Sequence, residues 1–542
     1  MPRFLPLLAL AVLFGSRTVA LPEDGPRAQD GPQAAHDSAP AGPTKLSLAP
    51  RVFVRDYLLE GVTALDEGDL RRLIQPWTQR EMATEDLLKV KDAITAAYVS
   101  KGFVNSGAVI PDQEVRDGIV RIRVIEGTLD RIEIEKRGRL RDGYVRKRLT
   151  PSPGEPLNVV DVENRLRLLQ EDRRVKAINA ALVPGRTPGQ ADLRVAVEEN
   201  RAFQASVDLS NHQSPSVGEE RLQVALAHQN LTGNGDVLSG SYRRTRGLNS
   251  FDVTYALPVT PRDTTLAVTF RGGDSVVTET PFDRVDIESR SNTFGVSVVH
   301  PIRKTPGSEL AVGLTGDLRT SETFLLGKPF SFSLGAEDGR AKVAALRASQ
   351  QWTARSRTQV LALQSTFSFG VDALGATIQS GELPDGRFVS WLMRFQWARR
   401  LGFLDSELVF RTDAQLATSP LLAIEQFSIG GYASVRGFRE SQVVRDMGVV
   451  GSLELRVPVL RASDGRPILQ VAPFLDYGRG WNKEATTLAP TRNLGSAGVG
   501  VRWRASRRLF ADAYWAAWRS EEVTGDSLQD HGLQFLVSFD LY

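Results

Sequence analysis

The chain has 542 residues, room for two or three domains, and no cysteine. The absence of thiols excludes a disulfide scaffold and any thiolate metal site. Lys and Arg total 67 against 64 Asp and Glu, a formal net charge of +3. So small a surplus at this length gives no reason to invoke nucleic acid.

Residues 1–20 have the layout of a secretory signal peptide. Arg3 supplies the positive start, Leu5 to Phe14 form an apolar run, and Thr18-Val19-Ala20 ends in a small residue before Leu21. The run is about half of what a helix needs to cross a bilayer. No later segment reaches the ~18 apolar residues of a membrane helix, so a helical membrane protein is excluded. A membrane barrel is not, because its strands need only one apolar face. Residues 21–49 follow as a flexible lead-in, with Pro22, Pro26, Pro32, Pro40 and Pro43 set against a stable helix.

Residues 50–127 read as a small α/β module. Val52 to Tyr57 is a strand candidate, and Thr84 is placed to cap a helix. Leu87, Val90, Ile94, Ala97 and Tyr98 line one face of that helix, and Lys101-Gly102-Phe103 closes it. Ser106 to Ile110 and Ile119 to Ile125 are strand candidates, with Asp117-Gly118 as a turn. Residues 128–199 repeat the pattern. Leu129 to Glu135 is a strand, and Val162, Leu166 and Leu169 mark a helix. Ile178 to Leu182 and Asp192 to Val197 form a closing hairpin. Each module has a small core and is expected to lean on its neighbours.

From residue 200 to 542 the period changes to two. Phe251, Val253, Tyr255 and Leu257 alternate with Asp252, Thr254 and Ala256; Leu453, Leu455, Val457 and Val459 alternate with Glu454 and Arg456. A soluble sandwich also alternates. The persistence of the pattern, the aromatics on its apolar face, and the Gly, Asp and Ser rich intervals instead predict a transmembrane β-barrel of about 16 antiparallel strands.

Catalytic chemistry has no visible seat. His36, His212, His228, His300 and His531 show no metal-ligand spacing, and neither a nucleophile elbow nor a phosphate loop appears. No enzyme activity, cofactor or metal is expected. Two segments stand apart. One is Gly430-Gly431-Tyr432-Ala433-Ser434-Val435-Arg436-Gly437-Phe438, inside a long interval of about 418–447. The other is Phe474-Leu475-Asp476-Tyr477-Gly478. Parity puts Leu475 and Tyr477 toward lipid and Asp476 toward the lumen. A carboxylate in a confined lumen suits a guanidinium brought in by a returning loop.

These segments closely resemble the transporter component of two-partner secretion, the family that exports filamentous haemagglutinins, haemolysins and contact-dependent toxins. The resemblance covers nearly the whole mature chain, and Val124-Ile125-Glu126-Gly127 resembles the end of its first POTRA domain. It implies POTRA domains at 50–127 and 128–199 in the periplasm, and an outer-membrane barrel of sixteen strands over 200–542. It also implies a long loop that folds back into the lumen. There the arginine of Val435-Arg436-Gly437-Phe438 pairs with the aspartate of Phe474 to Gly478, so Val435, Arg436, Gly437, Phe438, Phe474, Asp476 and Gly478 become the loop-anchoring and transport residues. The implied partners are a large secreted exoprotein (an adhesin, haemolysin or contact-dependent toxin), outer-membrane lipid, and the barrel-assembly machinery during biogenesis. A helix that plugs the barrel in some members is not expected in the proline-rich lead-in. Alternatives are a barrel-assembly factor of the same superfamily and a passive porin-type channel.

Overall fold

The computed structural model describes residues 45–541 apart from 49, 153, 382 and 485–489. The signal-peptide reading, most of the lead-in with the expectation that it carries no plug helix, and Tyr542 lie outside the described residues.

The first module is a three-stranded sheet of Asp56–Glu60, Ile119–Ile125 and Gly107–Val109, the first pair parallel and the second antiparallel. Helices Glu67–Ile74 and Thr84–Ser100 cover it. Strand Ile119–Ile125 buries Val120, Ile122 and Val124 and leaves Arg121 and Arg123 in water, the alternation of a sheet with one apolar face. Two expectations are corrected. The segment 52–57 is two strands: Arg51–Val54 turns away to pair with Arg80–Ala83, and a second strand starts at Asp56. Thr84 is the first helical residue and not the cap; Ala83 holds the cap position without a side-chain bond. Two helices per module agree with a strand–helix–helix–strand–strand order; the bounds of Glu67–Ile74 carry no apolar stripe in the sequence, because half of its residues are charged and only Leu70 and Ile74 are buried.

The second module repeats the order with strands Thr128–Arg137, Gln190–Glu199 and Val175–Pro184 and helices Asp142–Leu149 and Val159–Gln170. Each module has its own buried apolar cluster. Backbone bonds join them: Leu157 N donates to Gly127 O at 2.6 Å and Val159 N to Gly102 O at 2.9 Å. The second module is tied to the turns at one mouth of the barrel. Arg141 N donates to Gly233 O at 2.8 Å and Arg174 Nε to Gln229 O at 2.9 Å. Arg148 lies 3.5 Å from the Tyr144 ring centroid and pairs with Asp263. Burial alone would raise the Asp263 carboxyl; Arg148 and Lys304 hold it below its ordinary range.

From Phe203 the chain forms a closed antiparallel barrel of 16 strands. The first strand (Phe203–Ser210) pairs with the second (Arg221–His228) and with the last (Leu533–Asp540), so no edge is left open. Apolar residues point outward without protein cover: Leu314, Leu475 and Trp515 are each about half exposed (51%, 56% and 53%). That inversion is what a lipid-facing wall requires. The hydrophobic parity therefore puts polar side chains inside, where the functional loop meets them.

Candidate functional site

The wall is interrupted between its eleventh strand (Glu407–Ala417) and its twelfth (Met447–Arg461). The intervening chain turns into the lumen and builds a short hairpin, Phe427–Ile429 against Val443–Arg445. Phe427, Ile429 and Val443 pack with Val435 and Phe438 of the loop tip and with Val450 and Leu494 of the wall. An apolar seat inside a polar lumen fixes the depth to which the tip descends.

Arg436 is the centre of that seat and is 2% exposed. Its backbone N donates to Asp476 Oδ2 at 3.0 Å. Its Nε donates to the same oxygen at 2.8 Å, and its Nη2 to Asp476 Oδ1 at 2.8 Å. The planar fork thus takes both carboxylate oxygens, geometry that an ammonium does not reproduce. Nη1 pairs with Glu454, and Nη2 also donates to Ser452 Oγ at 3.1 Å. The guanidinium carbon lies 4.0 Å from the Phe474 ring centroid and 4.7 Å from that of Tyr514. Every polar edge of the buried cation has a partner, as burial demands.

The glycines have steric reasons. Gly437 adopts φ +85°, and a Cβ there would land on Ala516. Its N–H donates to Gln534 Oε1 at 3.3 Å, and Gln534 Nε2 returns a bond to Phe438 O at 3.1 Å. A Cβ on Gly478 would stand 2.5 Å from Ile429 and 2.9 Å from Val435, so only glycine lets the tip lie on the thirteenth strand (Pro467–Trp481). The structure therefore brings together the two sequence segments that stood apart, residue by residue.

Sequence reasoning missed the carboxylate that shares the arginine. Glu454 also receives Arg456 Nε at 2.6 Å, Arg502 Nη1 at 3.3 Å and Tyr514 Oη at 3.3 Å, and is 2% exposed. The signal was present: Glu454 alternates with Leu453 and Leu455 and so faces inward. Also missed were Tyr432, whose Oη donates to Asp512 Oδ2 at 2.8 Å, and Arg439. The latter grips Asp530 at 2.5 and 2.7 Å and Glu279 at 2.8 Å. Among the described residues no group of His, Asp and Glu is arranged to hold a metal ion.

A lumen filled by a clipped loop, under a wall with lipid outside, can act as a regulated passage and offers no catalytic pair. Comparison with known proteins agrees. The family model for haemolysin secretion/activation proteins ShlB/FhaC/HecB matches residues 189–503, and the ShlB-type POTRA domain model matches 52–127. The outer membrane transporter CdiB of Escherichia coli O6:K15:H31 (strain 536 / UPEC) is 25% identical over 427 residues, 74% of this chain and 68% of the relative. The CdiB of Dickeya dadantii (strain 3937) is 23% identical over 88% of this chain and 82% of its own length. The solved structure of CdiB from Escherichia coli shares the fold with a TM-score of 0.68 at 20% identity, covering 92% of this chain and 94% of that one.

Proposed function

The chain belongs to the haemolysin secretion/activation protein family, and from that premise we propose that Arg436 and Asp476 hold the in-folded loop in place as a working part of export. The protein is an outer-membrane β-barrel transporter with its α/β modules on the periplasmic side, and its family consists of transport channels without catalytic activity. Its partner is a large secreted protein, and its setting is outer-membrane lipid. We infer further that the client is of adhesin, haemolysin or contact-dependent toxin type, and that the barrel-assembly machinery inserts the wall.

In this reading the modules at 50–127 and 128–199 take up the client unfolded. Strand Val175–Pro184 lies at the edge of its sheet, with main-chain groups free to pair with an extended segment of varied sequence. The client then passes through the lumen once the loop yields. Folding on the far side removes the unfolded chain from the exchange and makes return unfavourable. Val435, Gly437, Phe438, Phe474 and Gly478 shape the seat that Arg436 and Asp476 lock.

The observation that carries this reading is the bidentate, fully buried bond between Arg436 and Asp476 across 40 residues of chain. Removing one partner of such a pair costs about 3–5 kcal/mol, because the other charge stays buried alone. Arg436→Ala and Asp476→Ala are therefore each expected to reduce client in the medium at least about tenfold, normalised to barrel in the outer membrane. The double mutant is expected to be no worse than the poorer single. Additive losses would mean that the two residues act separately. Wild-type secretion from both singles would end the anchoring role.

A further inference from the structure

The loop meets the wall a second time, well away from Arg436. On its way in from Ala417, the short turn Ala423–Glu425 brings the Glu425 carboxylate into the lumen with 4% exposure. Its Oε1 accepts from Arg347 Nη2 at 2.8 Å and lies 3.2 Å from Arg319 Nη1. Both arginines also reach Asp317. Arg347 does so through Nε at 2.9 Å and Nη2 at 3.2 Å, and Arg319 through Nη2 at 3.2 Å. The remaining Arg347 nitrogen, Nη1, donates to Ser368 Oγ at 2.8 Å. Two cations and two anions alternate in a closed cluster.

The cluster divides into a socket and a plug. Asp317 and Arg319 belong to the seventh wall strand (Ser308–Leu325) and Arg347 to the eighth (Arg340–Arg355), which are paired in register. These three stay together whatever the loop does. Only Glu425 comes from the loop. Beside it, Leu421 and Leu422 of the loop stem pack on Ala341, Val343 and Ala345 of the eighth strand. The tip sits on the twelfth and thirteenth strands, five strands further round the barrel. One loop is therefore held at two separate places.

The two places differ in what lies under them. Beneath the tip, the wall side chains Glu454, Asp476, Tyr514 and Gln534 are sealed at 2% exposure or less. Between the socket and the mouth that carries the modules, the inward faces of the sixth (Ile287–Thr305), seventh and eighth strands carry Ser297, Gly313, Thr315 and Ser349. All of these are only half-buried. The free side of the lumen is thus lined by small, uncharged residues, and the stem closes over its end. The retention differs too. When Glu425 leaves, both arginines keep Asp317, whereas Arg436 has nothing to fall back on outside its seat.

We propose that Glu425 is a second anchoring residue of the transporter: a stem latch over the open, small-residue side of the lumen that releases while Arg436 stays seated. The client route then runs along the sixth to eighth strands, past the socket, to the outer mouth. The proposal rests on the reading of the loop as part of export and assigns it two independently opening halves.

The chain contains no cysteine, so single introduced cysteines report cleanly. Leu421→Cys marks the stem and Val435→Cys the tip, both buried at rest. Intact cells are treated with a membrane-impermeant maleimide. Adding Glu425→Gln is expected to speed labelling at position 421 by about tenfold or more and to leave position 435 protected, as for a local opening. The cysteine-free Glu425→Gln protein, which does not depend on the reporter folding, is expected to populate a larger conductance state in planar bilayers. Unchanged conductance, or continued protection at 421, overturns the latch. Equal exposure of 421 and 435 overturns the independence, since the loop would then move as one body. Failure of the export reading looks different: Arg436→Ala and Asp476→Ala would secrete normally, whatever the labelling at 421.

Discussion

Two strands with the same period show how differently the two regions are held. In Ile119–Ile125 the buried residues are Val120, Ile122 and Val124, and the arginines between them lie in water. In Pro467–Trp481 the buried residues include Phe474, Asp476 and Gly478, while Leu475 and Tyr477 point outward. Alternation says that a strand has two faces and does not say which face is inside. In the modules, apolar burial away from water supplies the stability. In the barrel, lipid accepts the apolar face, so the interior is free to be polar and must instead satisfy its charges. Interior faults should therefore cost packing in one region and uncompensated charge in the other.

The sharpest way to break that contrast is at Glu454, where three arginines converge. Glu454→Ala leaves Arg436, Arg456 and Arg502 facing one another and is expected to weaken the loop seat by about 3–5 kcal/mol. Secretion should fall about as far as in Arg436→Ala, with the barrel still inserted and heat-modifiable on a gel. Normal secretion would show that Asp476 alone carries the seat and that charge balance in the lumen is unimportant.

A smaller effect separates the two kinds of apolar residue. Ile94 is fully buried in the first module, and Ile94→Ala is expected to cost about 2–5 kcal/mol through lost transfer energy plus a cavity. Leu475→Ala on the outer wall should lose the transfer part alone, about 2 kcal/mol, because lipid fills the space. Limited proteolysis of the full-length protein in increasing urea reads the module, and loss of heat-modifiability reads the wall. Equal losses would mean that the outer face packs like a protein core.

The smallest expected effect is a pH dependence of the first module. Glu126 accepts from Thr63 N at 2.7 Å, Ala64 N at 2.8 Å and Tyr98 Oη at 2.7 Å. Burial works to raise its carboxyl, but these bonds hold it below the ordinary glutamate range. A depressed carboxyl adds stability above its unfolded value, and that stability is lost as pH falls through the folded one. Acidification below the ordinary glutamate range should thus make the first module easier to digest than it is at neutral pH. Glu126→Gln should remove the difference; an unchanged acid response in that variant would assign it to another group.

The strand series of the barrel was legible in the sequence through its local period of two, and the meeting of Arg436 with Asp476 through the resemblance of their two short motifs to a known family. The position of helix Glu67–Ile74 was hidden because its apolar contribution to the core is so sparse, and the segment at 52–57 hid a break that only its pairing with Arg80–Ala83 reveals. Glu454 and Glu425 are charged residues like many others in the chain. Glu454 becomes a hub because Arg456 of its own strand, Arg502 of the fourteenth (Arg492–Trp503) and Tyr514 of the fifteenth (Leu509–Arg519) curve onto it while the loop tip adds Arg436, and Glu425 becomes a latch because the loop crosses to strands that are distant in sequence. A strand's alternation is written by steric and solvation preferences within a few residues. Which charges share a desolvated space is set by closure of the barrel and the path of its loop, which sum contacts across the whole chain.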